Sequence, residues 1–312
     1  MIKKKQQRKE EERKMSSLTL TVVANMTSNY GEGLGNISSV QKVYRNGKVY
    51  ATRSRESLKN AVMVQSGFYD DLKVTVTEGK KAESKVNQKV ASEEINVSNC
   101  RSLEGGYMNT IGNTVIRNSS FYFTDAVACE PYVNENRFHN NLFMAQTYAK
   151  DKDLNLQNDA GNCGLMPYQY EYDKSLKQYS VTIDLDMIGK DDNFEAEADK
   201  QEKADRVIAL LDAIKNLSLV VKGNLDNAEP IFVIGGITNR KTHTFENAVK
   251  VKQNKLVISE SLKDKLTDTM RVGLLKGSYI ENEGEIESAL HSMGVEAFFK
   301  EMETQVKKYY EV

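Results

Sequence analysis

Six cations fall between Gln41 and Asn60 (Lys42, Arg45, Lys48, Arg53, Arg55 and Lys59) against a single acid, Glu56. They follow a loop, NYGEGLGN, that places Gly31, Gly33 and Gly35 among Asn25, Ser28, Asn29, Asn36 and Ser38. Glycines let a ligand come close to backbone N–H groups, and cations neutralise anionic oxygens, so the combination suits a phosphate backbone. An ordinary helix start with a solvated basic face is the competing interpretation. A dinucleotide pocket is excluded by spacing. The glycines sit two apart instead of following G-x-G-x-x-G, and the β-rich segment after them offers no helix N-terminus to a pyrophosphate. A P-loop is excluded because no G-K-[ST] follows a strand.

Catalytic chemistry has few actors. His139, His243 and His291 are the only histidines, each isolated in sequence, and no zincin, nucleophile-elbow or Cys–His signature is present. Asp184 and Asp186 alternate on an expected strand; they could hold a metal or simply form a solvated strand face. The expectation is a protein without enzymatic activity, resident metal or cofactor.

Composition narrows the setting. Cys100, Cys129 and Cys163 lie far apart with no C-x-x-C pair, which argues against a zinc ribbon or disulfide framework and places the chain in a reducing cytoplasm. No apolar run is long enough to cross a bilayer, so no membrane association is expected. The N-terminus, MIKKKQQRKEEERK, is read as part of a disordered basic tail over residues 1–16. The net charge of −1 conceals segregation, for nine acids face three lysines between Asp184 and Asp205. Such segregation suits a polyanion site, or subunits that stack basic face on acidic face.

These residues need elements to hold them. LTLTVVANM (18–26) is a buried strand by its β-branched content. SVQKVYRNGKVYAT is a hairpin turning at Asn46-Gly47, and Ser54 caps a helix over Arg55–Gln65. Residues 67–112 are polar and read as an inserted, partly mobile subdomain. Strands resume over 114–130, and 149–172 reads as a long hairpin. SLKQYSVTIDLDMIG (175–189) is a strand and 197–215 a helix; 216–222 and 229–234 are strands, and 241–310 is mostly helical. The order predicts an α+β fold, an antiparallel sheet with helices on one face.

The ordered series TLTVVANMTSNYGEGLGNISSVQKV, YATRSRESLKNAV, FYFTDAVACEP, QYSVTIDLDMIGK and VIALLDAIKNLSLVVKGN resembles the CRISPR-associated Cas-seven family over about residues 17–235. The likeness is to its DevR-like branch of type I-B systems. The resemblance implies a modified RRM, ferredoxin-like palm built from 17–66, 113–148 and 173–240. It implies fingers over 67–112, a β-hairpin thumb over 149–172 and a C-terminal, mostly helical segment over 241–312. It also implies a backbone subunit that polymerises head-to-tail along crRNA, meets other Cascade subunits, and presents the guide to target DNA in antiviral defence.

Carried over by position, Asn25, Gly31, Gly33, Asn36, Arg53, Ser54, Ser57, Lys59, Gly223 and Asn224 fall in RNA-contacting segments, and Lys42, Arg45 and Arg55 join them by charge. Leu165 and Met166 are candidates for the thumb's apolar wedge, with local packing the alternative for Met166. Lys80, Lys81, Lys85 and Lys89 in the fingers could approach DNA or form a solvated loop. Type III relatives cleave RNA with an aspartate in the loop after the first strand; here the only acid between Asn25 and Ser39 is Glu32. That implies a subunit that does not cut. The alternatives are a metal-dependent ribonuclease of the same fold, using Asp184 and Asp186, and a regulatory or structural relative that carries no CRISPR RNA.

Overall fold

The computed structural model describes residues 16–29, 37–70, 75–77, 85–87, 91–109, 114–221 and 223–312. Ser17–Thr27 is its central strand. Leu18, Leu20, Val22, Ala24 and Met26 point to one side, Thr19, Thr21 and Val23 to the other, and all are fully buried. A strand covered on both faces needs partners on both edges. It pairs antiparallel with Lys174–Asp184 along its whole length and with Pro230–Thr238 on the other side. The resulting eight-stranded antiparallel sheet runs Arg271–Leu274, Pro230–Thr238, Ser17–Thr27, Lys174–Asp184, Ala126–Ala128, Lys48–Arg53, Lys42–Arg45. Phe121–Phe123 joins it beside Ala126–Ala128.

The basic hairpin turns where expected. Asn46 and Gly47 have φ of 49° and 77°, the two positive values that a type I′ turn demands and that Asn-Gly supplies at least cost. The helix Arg55–Gln65 starts at Ser54, whose Oγ accepts from the Ser57 N–H at 3.3 Å. The helix expected from residue 197 begins at Lys200, because Asp199 takes the cap and accepts from Glu202 N–H at 2.8 Å. With Val295–Tyr310, these helices bury Leu58, Val62, Val207, Leu211, Ile214, Phe298, Met302 and Val306 against one sheet face. The expected α+β architecture is therefore the observed one, with these three helices on one face and the two shorter helices Glu260–Lys263 and Glu283–Leu290 on the other.

The C-terminal region departs from its expected helicity. Its helices are Glu260–Lys263, Glu283–Leu290 and Val295–Tyr310, while Arg271–Leu274 is the sheet's edge strand. Gly273 explains the choice. A Cβ there would lie 2.8 Å from Val233 Cγ1 and 2.9 Å from Phe298 Cβ, so the residue marks a close approach that a helix would not offer. Much of the region forms a second core, with Phe245, Val249, Leu262, Val272 and Ile286 under the opposite sheet face. The polar stripe on that face is satisfied internally. Thr21 Oγ1 meets Ser180 Oγ at 2.7 Å, and Thr182 Oγ1 lies 2.8 Å from His243 Nδ1.

Two further boundaries move. The hairpin expected over 149–172 begins earlier, as Glu135–His139 paired with Tyr168–Tyr172, with a helix Leu142–Asp151 between them. That helix escaped its sequence because Phe143 and Met144 remain exposed beside buried Ala145 and Ala149, which leaves no clean apolar stripe. The expected 67–112 insertion has a fixed part. Ala91, Val97, Cys100 and Leu103 make a small core of their own, next to a 3₁₀ turn Arg101–Gly105.

Buried acids and phenols give the fold a pH signature. Burial pushes the Cys129 thiol and the Tyr107 phenol up to about 12, and raises Tyr179 and Tyr310 well above the ordinary phenol. The native state therefore keeps protons that the unfolded chain loses near pH 8.5 and 10, and stability falls as pH rises through that window. Burial lowers Arg53, Lys59 and Lys177, which act in the opposite sense. Above about pH 10.5 Lys59 and Lys177 no longer contribute, and the buried tyrosines and thiol outnumber Arg53, so stability falls. Urea midpoints measured against pH should show this fall. Tyr179→Phe should flatten it, since among the described residues the Tyr179 hydroxyl has no hydrogen-bond partner to lose; an unchanged slope would contradict the account.

Candidate nucleic-acid interface

The basic residues singled out by sequence divide into those that reach solvent and those that hold the fold. Arg53, at the end of its strand, is 6% exposed; its Nη1 donates to Thr27 O at 3.1 Å, and burial pushes its pKa down to about 10 against the pull of Asp226. Lys59 turns along its helix to donate to Gly105 O at 2.8 Å and Ser119 Oγ at 2.9 Å, over the Phe121 ring. The Ser54 hydroxyl is spent on the helix cap, where it accepts from the Ser57 N–H, and Ser54 N–H donates to Asn29 Oδ1 at 3.0 Å. These four organise the site from within. Lys42 pairs with Glu171 of the separate hairpin. Asn25 is half-buried on the central strand, opposite Leu176.

Arg45 and Arg55 are exposed, and the fold brings them together. They line a groove of about 670 Å³ on the sheet face opposite the helices, with Tyr50, Gln178, Lys250 and Lys252. Asp125 and Glu246 are the acids in it, and Asp125 Oδ1 already accepts from Arg55 N–H at 2.8 Å. The groove thus holds two arginines and two lysines against two carboxylates, one of them engaged. Lys250 and Lys252 were missed in the sequence because they come from a turn-rich segment nearly 200 residues away from the basic hairpin.

The acid-rich stretch is largely neutralised within the chain. Asp184 pairs with Lys241 at 2.9 Å, Asp186 accepts from Tyr309 Oη at 2.6 Å, and Asp191 from Tyr107 Oη at 3.0 Å. Glu202 takes Arg101 and Arg206 at 2.8 Å each. Asp184 ends its strand and Asp186 lies in the turn beyond it, so the two carboxylates do not share a face as expected. Among the described residues no cluster of three or more His, Cys, Asp or Glu could hold a metal. Likewise no described helix is long and apolar enough to cross a membrane.

The separate hairpin makes a second recess. Arg137 and Tyr172 stack, with the guanidinium carbon 3.4 Å from the ring centroid. His139 stacks on Tyr168 and Tyr170 at 5.5 and 4.9 Å. Asn224 opens the hairpin Ser218–Val221/Asn224–Asn227 after Gly223, whose φ of 80° fits its turn. This hairpin faces Arg137, Tyr170 and Tyr172 across a cleft of about 260 Å³ with Thr27 and Asp226 in its lining. The alternating aromatics in YQYEY were the available signal, since period two puts Tyr168, Tyr170 and Tyr172 on one face. Of the wedge candidates, Leu165 packs on Ala145, Ala149 and Cys163, while Met166 is 72% exposed. Gly31, Gly33, Asn36, Lys80, Lys81 and Lys89 lie outside the described residues. Lys85 opens a short strand paired with Thr75–Thr77.

A helix-backed antiparallel palm with a basic groove on its other face and an aromatic hairpin beside it is an RRM-like palm-and-thumb architecture. Two solved chains are similar to this chain in fold. A chain of a CRISPR RNA-guided surveillance complex in a pre-nicking state superposes with a TM-score of 0.58 at 11% identity, over 91% of this chain and 99% of its own. A chain of a second CRISPR RNA-guided surveillance complex gives 0.52 at 13% identity, over 92% and 98%. By sequence, no curated protein matches. Residues 18–260 match the family described as CRISPR-associated negative auto-regulator DevR/Csa2, and the chain belongs to that family.

Proposed function

We propose that the chain is a non-enzymatic, crRNA-binding backbone subunit of a type I-B Cascade complex, arrayed head-to-tail along the guide. The observation that carries this is the groove of Arg45, Arg55, Lys250 and Lys252 beside the second core on that sheet face, which offers cations to a phosphate backbone. Family membership supports a CRISPR setting. The hairpin tip, where Phe143, Met144 and Met166 are all exposed, supplies apolar groups suited to wedge between bases. Asp184 and Asp186 are tied to Lys241 and Tyr309, which speaks against their use as a metal-binding catalytic pair.

Nucleic acid copurifying with the full chain tests this. The expected outcome is guide-length RNA with repeat-derived ends, in oligomers whose affinity for RNA falls steeply with salt. Promoter DNA in place of RNA would favour the auto-regulator that the family description names, and no nucleic acid at all would overturn the proposal. Periodic cleavage of complementary RNA in the presence of Mg²⁺ would overturn its non-enzymatic part.

A further inference from the structure

His243 lines the basic groove while one edge of its ring is held by the sheet. The Thr182 hydroxyl has a single proton, and Oγ1 donates it to Thr242 O at 3.1 Å. Only its lone pairs then face His243 Nδ1 at 2.8 Å, so Nδ1 carries the hydrogen and donates. The neutral ring therefore keeps a bare lone pair on Nε2, which has no hydrogen-bond partner among the described residues. The charged groups around the ring come from several elements. Glu246 lies on its own segment, Asp125 beside Ala126–Ala128, Arg45 on the basic hairpin, Arg55 at the helix start, and Lys250 and Lys252 beyond Phe245. Asp184, on the strand of Thr182, is paired with Lys241 at 2.9 Å, and Gln178 on that strand donates to Glu246 O at 2.7 Å. Cys129 in the groove wall stays a neutral thiol. Burial lowers the His243 pKa and Glu246 pulls against it, which leaves the ring neutral at neutral pH.

We infer that His243 is a proton-linked phosphate contact: a phosphodiester entering the groove draws a proton onto Nε2 and accepts a hydrogen bond from it. Solvent supplies the proton, and no covalent bond in the ligand is made or broken. A bare Nε2 lone pair repels a phosphate oxygen, whereas the protonated nitrogen donates to one. The anion also offsets the cost of charging a half-buried ring, as a neighbouring carboxylate would. The four cations of the groove keep their charge from acid to neutral pH, so His243 alone among the basic residues there makes the grip respond to pH.

This rests on the groove binding RNA, and one titration separates the two claims. Oligouridine is the probe, because uracil does not change charge between about pH 8 and about pH 5, where histidine does. Its affinity for the full chain is measured by fluorescence anisotropy at constant ionic strength. A rise of about 10-fold is expected as pH falls through that range, the scale of a one-unit change in pKa on binding. His243→Gln keeps an amide donor for Thr182 Oγ1 but cannot titrate, and should lose most of the rise. Glu246→Gln removes the acid that holds the ring's pKa up, and should move the rise to lower pH. Imidazole NMR gives an independent readout. The ring signals that vanish in His243→Gln identify it among the three histidines, and their titration midpoint should move up when oligouridine is added. A pH-independent affinity, or a midpoint that RNA leaves in place, overturns the proton linkage and leaves RNA binding standing. So does a rise kept in full by folded His243→Gln, which would assign it to another group such as His139 on the aromatic hairpin. Absence of binding at every pH overturns the proposed function, and the linkage with it.

Discussion

Replacing Glu104 by alanine should lower the unfolding free energy by about 3–5 kcal/mol, the cost of stranding buried charges without their partner. Glu104 is fully buried between two arginines that are themselves 3% and 1% exposed. Its Oε2 takes Arg117 Nη2 at 3.3 Å and the Ser120 hydroxyl, while its Oε1 takes Arg206 Nη1 at 2.9 Å and Gly189 N–H at 2.6 Å. Both guanidinium groups also reach carbonyl oxygens, Arg117 to Met187 at 2.6 Å and Arg206 to Ser98 at 3.1 Å, so neither can swing out to water once the acid is gone. The triad ties the inserted 3₁₀ turn to the turn that follows Lys174–Asp184 and to helix Lys200–Lys215. Glu202→Gln, at the half-exposed end of the same network, should cost less than about 1 kcal/mol, as solvent-screened pairs do. Chemical denaturation of both variants checks the contrast. Equal losses would mean that burial does not set the value of this network.

The double change Arg45→Glu and Arg55→Glu should weaken RNA binding by about 100-fold or more and reduce the salt slope by about two, as expected when two phosphate contacts are lost. The fold should survive, because among the described residues Arg45 makes no internal contact that its removal would strand and the Arg55 side chain pairs with exposed Glu56. Charge reversal at Arg53 or Lys59 is a poor test of the same idea. Each donates to a backbone carbonyl from a buried or half-buried position, so a carboxylate there would meet Thr27 O or Gly105 O. An intact double variant that binds RNA like the parent would dissociate the groove from the guide.

The palm was legible because its signals are local. Period-two apolar residues in Ser17–Thr27, Asn-Gly in the hairpin and Ser54 at the cap each specify an element without help from the rest of the chain. The site was legible only in part. Charge marked Arg53 and Lys59 as readily as Arg45 and Arg55, yet burial sends the first pair inward, and burial is decided by the partners of the neighbouring strands. Lys250, Lys252, Arg137 and Asp226 reach the recesses through tertiary pairing alone. The edge strand Arg271–Leu274 was hidden for the same reason, since its place depends on the bare face of Gly273 against Phe298.

The segment between Ser28 and Val40 has both ends fastened to one neighbourhood of the aromatic hairpin. Ser28 N–H donates to Asp173 O at 3.2 Å and its hydroxyl to Asp173 Oδ2 at 2.8 Å. On the far side, Ile37 and Ser38 add in parallel to Gln169 and Tyr170, and Val40 N–H donates to Glu171 Oε2 at 2.9 Å. The two anchor points therefore stay a fixed distance apart whatever joins them. Chain-closure entropy changes only by about 0.6 kcal/mol for each doubling of a flexible loop. The anchors at Ser28 and Ile37 thus mark a natural graft point, where the length and chemistry of the connecting segment can be exchanged between proteins while the sheet that carries it is left alone.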